Sequence, residues 1–337
     1  MSDLNIAVLG AGVVGLTTAL ELQKQFRGAR VTVLADKFNE DTTSFVAAGL
    51  FRPSTYFRGP TEAITREWIR DSYNYWDDIR VTAEASEAGV AQLSGYVFSN
   101  LSPHIVRNHL IENVVPIYRA ATEEERMICP GNWKYGSFFT SLLIECGIFL
   151  PWATDKFLNA GGKVRRKTVD ALSHLAGQYD VTVNCTGIGA KFLCNDYKLV
   201  PIRGQVLKVH APWVKMFFYG DYDTYVIPGF DSITLGGSRH FDNFNLNVCK
   251  YDSLGIRERC DSLLPSLKTA KLIGQRVGLR PHRDPVRVEK EVTNVYESKM
   301  KIVHNYGHGG YGVTTAPGTA KYAVQLVKEI LAGNSKL

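Results

Sequence analysis

The chain has 337 residues, of which 45% are hydrophobic, 21% charged and 11% aromatic, a balance that excludes one small module and a disordered or collagen-like chain. Lys and Arg number 39 against 33 Asp and Glu, a formal charge of +6, and because the basic residues are scattered, nucleic acid is not an expected partner. The longest apolar stretch, Phe138 to Trp152, is interrupted by Glu145 and falls short of the roughly 20 residues needed to cross a bilayer, so no membrane partner is expected either.

In chain order, the apolar run from Asn5 to Leu9 predicts a strand. It enters Gly10-Ala11-Gly12-Val13-Val14-Gly15, and a helical pattern follows from Leu16 to Phe26. A second β-branched run, Arg30 to Leu34, ends near Asp36, which completes a βαβ unit with an acid beyond its second strand. Gly-x-Gly-x-x-Gly alone is a weak signal, since a glycine turn can serve packing only; the strand, the helix and the acid around it make the reading specific. Gly10 allows the tight turn, Gly12 lets a pyrophosphate approach the backbone, and Gly15 allows close helix packing. Asp36 suits an unphosphorylated adenosine ribose, which disfavours NADP and leaves NAD and FAD both open.

A hydroxyl cluster, Thr42-Thr43-Ser44, then runs into the small-residue loop Val46 to Pro53, which suits either a planar cofactor or an ordinary turn. A helix is predicted from Thr61 to Ile79, then mixed structure to about Leu150. Val181 to Gly189 reads as a buried strand ending in a small-residue turn. After Pro201 the runs Val206 to Val209, Thr224 to Ile227 and Ile233 to Gly237, with a turn at Pro228-Gly229, predict antiparallel sheet. Asn305 to Gly312 is a second glycine loop, placed before a helix expected from Thr319 to Leu331. The six cysteines form no CxxC pair, so they are read as buried thiols, with no zinc or other metal site and no disulfide framework. The start of the chain carries no cationic leader, which argues against secretion. Its last residues, Ser335, Lys336 and Leu337, are the tripeptide read by the peroxisomal import receptor at a free C-terminus.

Taken together, Gly10-Ala11-Gly12-Val13-Val14-Gly15, Ala47-Ala48-Gly49-Leu50, Asn184-Cys185-Thr186-Gly187, Arg203-Gly204-Gln205, Gly278-Leu279-Arg280-Pro281 and Asn305-Tyr306-Gly307-His308-Gly309-Gly310-Tyr311-Gly312 resemble the FAD-dependent D-amino-acid oxidase family, which includes the D-aspartate oxidases. The resemblance covers essentially the whole chain. It implies an α/β fold in which a Rossmann-like FAD-binding domain (1–53, 145–200 and 278–337) is interleaved with a smaller α+β substrate domain built on an antiparallel sheet (54–144 and 201–277). For FAD it implies contacts from Gly10, Ala11, Gly12, Val13, Val14, Gly15, Asp36, Lys37, Thr42, Thr43, Gly49, Leu50, Thr168, Gly309, Gly310, Gly312 and Thr314. For substrate it implies Arg280 as a fork for the carboxylate, Tyr225 as its hydrogen-bond partner, and Gly310 and Arg239 beside them. Arg239 resembles the arginine of D-aspartate oxidases, and with it come acidic D-amino acids.

The implied reaction is hydride transfer from the α-carbon to the flavin N5, reoxidation by dioxygen to hydrogen peroxide, and hydrolysis to a 2-oxo acid and ammonia. No residue is assigned as an acid or base, and His308 is read as ordering its loop. The resemblance also implies the peroxisomal matrix. Two departures stand out: Phe218-Tyr219-Gly220 occupies the place of a pocket-lid arginine, and Thr315-Ala316-Pro317-Gly318 replaces the family's His-Trp-Gly. Arg52 and His240 are candidates for adjusting pocket charge. The alternatives are an oxidase of neutral D-amino acids, a nicotinamide-dependent dehydrogenase and a flavin-binding protein without turnover.

Overall fold

The computed structural model describes residues 4–295 and 298–333. At the centre of the parallel part of its sheet the first apolar run is the strand Asn5–Leu9, which pairs in parallel with Arg30–Ala35 on one side and Val181–Asn184 on the other. Lys163–Arg166 extends this sheet beyond Arg30–Ala35, and Ser298–His308 extends it beyond Val181–Asn184, again in parallel. Ile6, Ala7, Val8, Val181 and Val183 are fully buried; a strand covered on both faces reads as a continuous apolar run, without alternation.

The same sheet continues on antiparallel lines. Lys271–Val295 pairs with Ser298–His308 and with Val200–His210. Beyond Val200–His210 come Ile233–Gly236, Tyr225–Pro228 and Phe217–Tyr219. Val90–Ser99 joins Phe217–Tyr219 in parallel, and Tyr135–Ile144 and Ile117–Ala120 complete the order. The register of Lys271–Val295 shifts between His282 and Arg287, a bulge that lets one long strand serve both halves. Arg280, opposite Ile202, lies just before that seam.

Three longer helices cover the parallel half, and a fourth, Glu62–Arg80, joins them while lying on Val90–Ser99 and Tyr135–Ile144. Val13–Gln25 packs against Cys146–Asn159 and Gly312–Leu331, and Glu62–Arg80 packs against Gly312–Leu331. On Glu62–Arg80 the buried Thr65, Trp68, Ile69, Ser72, Tyr73 and Trp76 recur at three- and four-residue spacing. Thr61 caps it, accepting from the Ile64 N–H at 3.2 Å.

The last helix begins at Gly312, well before the expected Thr319. Pro317 and Gly318 read as helix breakers, yet the chain stays helical because its neighbour supplies what Pro317 removes. Trp76 Nε1 donates to the carbonyl of Val313 at 3.2 Å, the carbonyl four residues before the proline. Ser72 Oγ accepts from the Gly318 N–H at 2.8 Å. A Cβ at Gly318 would sit 2.0 Å from the Trp68 carbonyl, so glycine is what lets the two helices approach.

The stretch from Phe138 to Trp152 is split between Tyr135–Ile144 and Cys146–Asn159. Glu145, at the break, accepts from the Phe230 N–H at 2.7 Å. Among the described residues no helix is long and apolar enough to cross a membrane. Four cysteines are buried free thiols, but Cys194 and Cys249 are partly exposed, a correction to the expectation that all six lie inside. Cys249 lies just ahead of the helix Lys250–Leu263 and Cys194 in the turn closing the short helix Ala190–Leu193, where burial is incomplete.

Candidate active site

All five parallel strands end at one edge of the sheet, and most of the expected cofactor residues follow those ends. Gly10 to Gly15 follow Leu9, Asp36 and Lys37 follow Ala35, Thr168 lies two residues beyond Arg166, and Gly309, Gly310, Gly312 and Thr314 follow His308. In open α/β sheets the crevice outside the carboxyl ends of the strands is where ligands bind. Asp36, Lys37 and Thr168 are exposed there, whereas Thr314 is buried.

The glycine turn is required by close approach. Gly10 has φ +98°, and a Cβ on it would lie 2.5 Å from the Cys185 carbonyl oxygen; on Gly15 it would lie 1.9 Å from the Gly10 carbonyl oxygen. Gly12 is the N-cap of Val13–Gln25 and has no side chain to cap it, and the first turn holds no acid. Ser44 reaches in instead, its Oγ accepting from the Val13 N–H at 3.0 Å. The N-terminus of Gly312–Leu331 meets the same place, since a Cβ on Gly312 would be 4.0 Å from side-chain atoms of Val13 and Val14. It too carries neither an acid in its first turn nor a side-chain cap. Two converging positive helix ends make a cradle for an anionic pyrophosphate.

Other expected cofactor residues are engaged within the protein. Thr42 Oγ1 donates to Asn39 O at 2.7 Å and accepts from the Phe45 N–H, and Thr43 Oγ1 donates to Leu279 O at 3.2 Å. Gly49 has φ +85° and would carry a Cβ 2.1 Å from the Ile144 carbonyl, and Leu50 bridges Leu143. The structure therefore gives these four residues packing and capping duties alongside the strand ends.

A second wall is built around Arg280. Gly204 stands opposite Gly278, so both share a face with Arg280, two residues on. The Arg280 guanidinium leans across Gly204, where a Cβ would fall 2.1 Å from Nη1, and its stem passes Gly310, where a Cβ would be 3.2 Å from Cδ. Nη1 donates to Ser238 O at 3.0 Å, and Ser238 Oγ accepts from the Gln205 N–H at 3.0 Å. The Arg203-Gly204-Gln205 motif thus gains a reason. Glycine makes room, Gln205 holds Ser238, and the buried Arg203 binds Asn245 O, Asn247 O and Asp252.

Tyr225 faces the Gly236-Gly237 pair just ahead of Ser238, with its hydroxyl 3.0 Å from where a Gly237 Cβ would be. Burial raises its pKa, and the charge of Arg280 works in the opposite direction. The phenol therefore stays protonated and can donate. Among the described residues Arg280 pairs with no carboxylate, so its remaining N–H groups and the Tyr225 hydroxyl are free for an anion.

The charged candidates around this wall divide. Arg239, half-exposed, is paired with Asp223 at 2.8 Å. His240 is drawn to Asp252 at 3.0 Å, on the carboxylate that Arg203 holds. His308 is buried, its Nε2 2.9 Å from Thr319 Oγ1, and desolvation pushes its pKa down to about 3; it is neutral and orders the loop. The place of the lid arginine is a tight turn, in which the Gly220 N–H donates to Thr224 O at 2.9 Å and Asp221 binds Ser99 Oγ at 2.6 Å. Two groups that shape the site, Ser238 and Tyr219, have no role that the sequence alone assigns. Their signal is tertiary, because each acts through a neighbour distant in sequence. Ser335, Lys336 and Leu337 lie outside the described residues.

The family described as FAD dependent oxidoreductase matches residues 5–326; the chain belongs to that family, its cofactor is FAD, and the paired helix ends and glycine turn fit that dinucleotide. It is 39% identical to human D-aspartate oxidase over 330 residues, 98% of this chain and 96% of that one. It is 34% identical to a D-amino acid oxidase of Dugesia ryukyuensis, covering 97% of this chain and 98% of the relative. Glycine oxidase from Bacillus cereus ATCC 14579 superposes with a TM-score of 0.77 at 16% identity over 99% of this chain and 96% of that one, a likeness of fold.

Proposed function

We propose that this protein is a D-amino-acid oxidase that prefers acidic substrates and works in the peroxisomal matrix. The observation that carries it is the pairing of Arg280, threaded between Gly204 and Gly310, with the protonated Tyr225. Arg280 takes the substrate α-carboxylate through parallel N–H donors, and Tyr225 donates a further hydrogen bond. With the carboxylate fixed, a third contact to the side chain leaves one enantiomer able to present its α-hydrogen in the required direction. FAD, which the Gly10–Gly15 turn and the N-terminus of Gly312–Leu331 would hold, would supply the electron acceptor for this oxidation, with dioxygen as the final oxidant reduced to hydrogen peroxide.

The chain's own residues position and exclude; none needs to carry the proton. Tyr225 is held in its protonated form by burial, and His308 is neutral with its Nε2 on Thr319. The substrate therefore reacts with its amine already neutral, and the imino acid hydrolyses to a 2-oxo acid and ammonia. The human relative's name, D-aspartate oxidase, supports the acidic preference. Ser335-Lys336-Leu337 supports the location.

The test is direct. Purified protein should be yellow, release peroxide with D-aspartate and D-glutamate faster than with D-alanine, and ignore the L-enantiomers. A colourless protein, or equal turnover of both enantiomers, overturns the reading. Deleting the last three residues should leave the protein outside peroxisomes; unchanged import would remove the assigned address.

A further inference from the structure

Arg52 is the cation of this site that no role yet claims. Its guanidinium carbon lies 4.6 Å from the centre of the Tyr219 ring. Tyr219 is the register partner of Tyr225, and the two rings are 5.5 Å apart. Arg52 thus reaches, through one aromatic layer, the tyrosine that stands beside Arg280. The positive charges of Arg52 and Arg239 both act on the Tyr219 phenol, against a burial that dominates. Tyr219 belongs to the segment where the resemblance places a lid arginine and this chain has none.

Arg52 and Arg239 differ in what they have left to offer. Arg239 is ion-paired with Asp223, and its side chain is 52% exposed, so its field is offset and screened. Arg52 is partly buried, and among the described residues it has neither an ion pair nor a hydrogen bond. Stacking on a tyrosine uses the face of a guanidinium and leaves its in-plane N–H donors unspent. A planar fork with free edges suits a carboxylate.

We infer that Arg52, seated on Tyr219, binds the side-chain carboxylate of acidic D-amino acids and is the main determinant of acidic preference. This rests on the oxidase reading of the site. The α-carboxylate goes to Arg280 and Tyr225, and the distal carboxylate goes to Arg52. A dicarboxylate relieves the repulsion among the guanidinium groups gathered around these tyrosines, which a neutral side chain cannot do.

The experiment compares Arg52→Gln, Arg52→Lys and Arg239→Ala with the parent holoenzyme. Arg52→Gln should lower kcat/KM for D-aspartate by about a hundredfold and leave D-alanine within a few-fold, while Arg52→Lys keeps an intermediate ratio. Arg239→Ala should change the ratio less. Calorimetry with succinate and butyrate, which differ by one carboxylate, gives a readout independent of turnover: Arg52→Gln should weaken succinate at least tenfold and spare butyrate. Equal loss for both ligands, an unchanged ratio, or the whole effect falling on Arg239→Ala overturns the inference. If no D-amino acid is oxidised by flavin-loaded protein, the oxidase reading fails, and the succinate and butyrate titrations still decide the role of Arg52.

Discussion

Tyr225 shows how one side chain is made useful by what surrounds it. Burial raises its pKa above the usual phenol value of 10.0, so it remains a donor through neutral pH and loses that role only as pH rises past the raised value. A hydrogen bond to a charged acceptor contributes about 1.5–3 kcal/mol. Tyr225→Phe should therefore lower kcat/KM for D-amino acids roughly ten- to hundredfold, chiefly through KM, with the flavin spectrum intact. Steady-state kinetics at neutral pH check this, and an unchanged KM would remove Tyr225 from carboxylate binding. The motifs single out Arg280 and Tyr225, and the fold sets the first against Gly204 and Gly310 and the second against Gly236 and Gly237. The Asp223 partner of Arg239 and the Tyr219 seat of Arg52 are not legible in the sequence, because each contact joins a loop residue to a segment whose approach no local pattern reveals.

At the scale of elements, the junction of Glu62–Arg80 with Gly312–Leu331 replaces a missing backbone hydrogen bond with an indole. Leaving the buried Val313 carbonyl without a partner costs about 1–3 kcal/mol. Trp76→Phe should accordingly lower Tm by several degrees. Restoring the backbone donor with Pro317→Ala should shrink that penalty, because the carbonyl then has a partner within its own helix. The four proteins of this cycle can be compared by thermal denaturation, and an equal cost of Trp76→Phe in both backgrounds contradicts the account. This junction also explains why the helix start was missed: proline and glycine are read as breakers from local preference, and the compensation comes from Trp76 and Ser72, more than 200 residues away.

Over the whole molecule, the residues expected to hold FAD lie at the ends of strands separated by most of the chain, from Gly10 to Thr314. Such a site exists only when the sheet is assembled, so the cofactor stabilises the folded state by mass action. Protein stripped of FAD should melt at a lower temperature, and Tm should climb with added FAD, by an amount equivalent to about 2.7 kcal/mol at a hundredfold excess over Kd. A Tm indifferent to FAD would contradict a cradle made of converging strand ends. The same assembly brings Arg280 to the seam between parallel and antiparallel strands, where Lys271–Val295 passes from one set of partners to the other.

By itself the sequence determined the βαβ unit, the glycine turn, the Glu62–Arg80 helix and the antiparallel runs, because each is written in local periodicity and in backbone positions that admit little but glycine. It also carried the family motifs, and through them FAD. Only the tertiary structure decided which cation stands unpaired beside Tyr219, which hydroxyls of Thr42-Thr43-Ser44 are already engaged, and why Pro317 sits inside a helix. Those outcomes depend on partners brought together through space by the sheet, and the free energy of a charge or an orphaned carbonyl is set by what lies within a few ångströms of it.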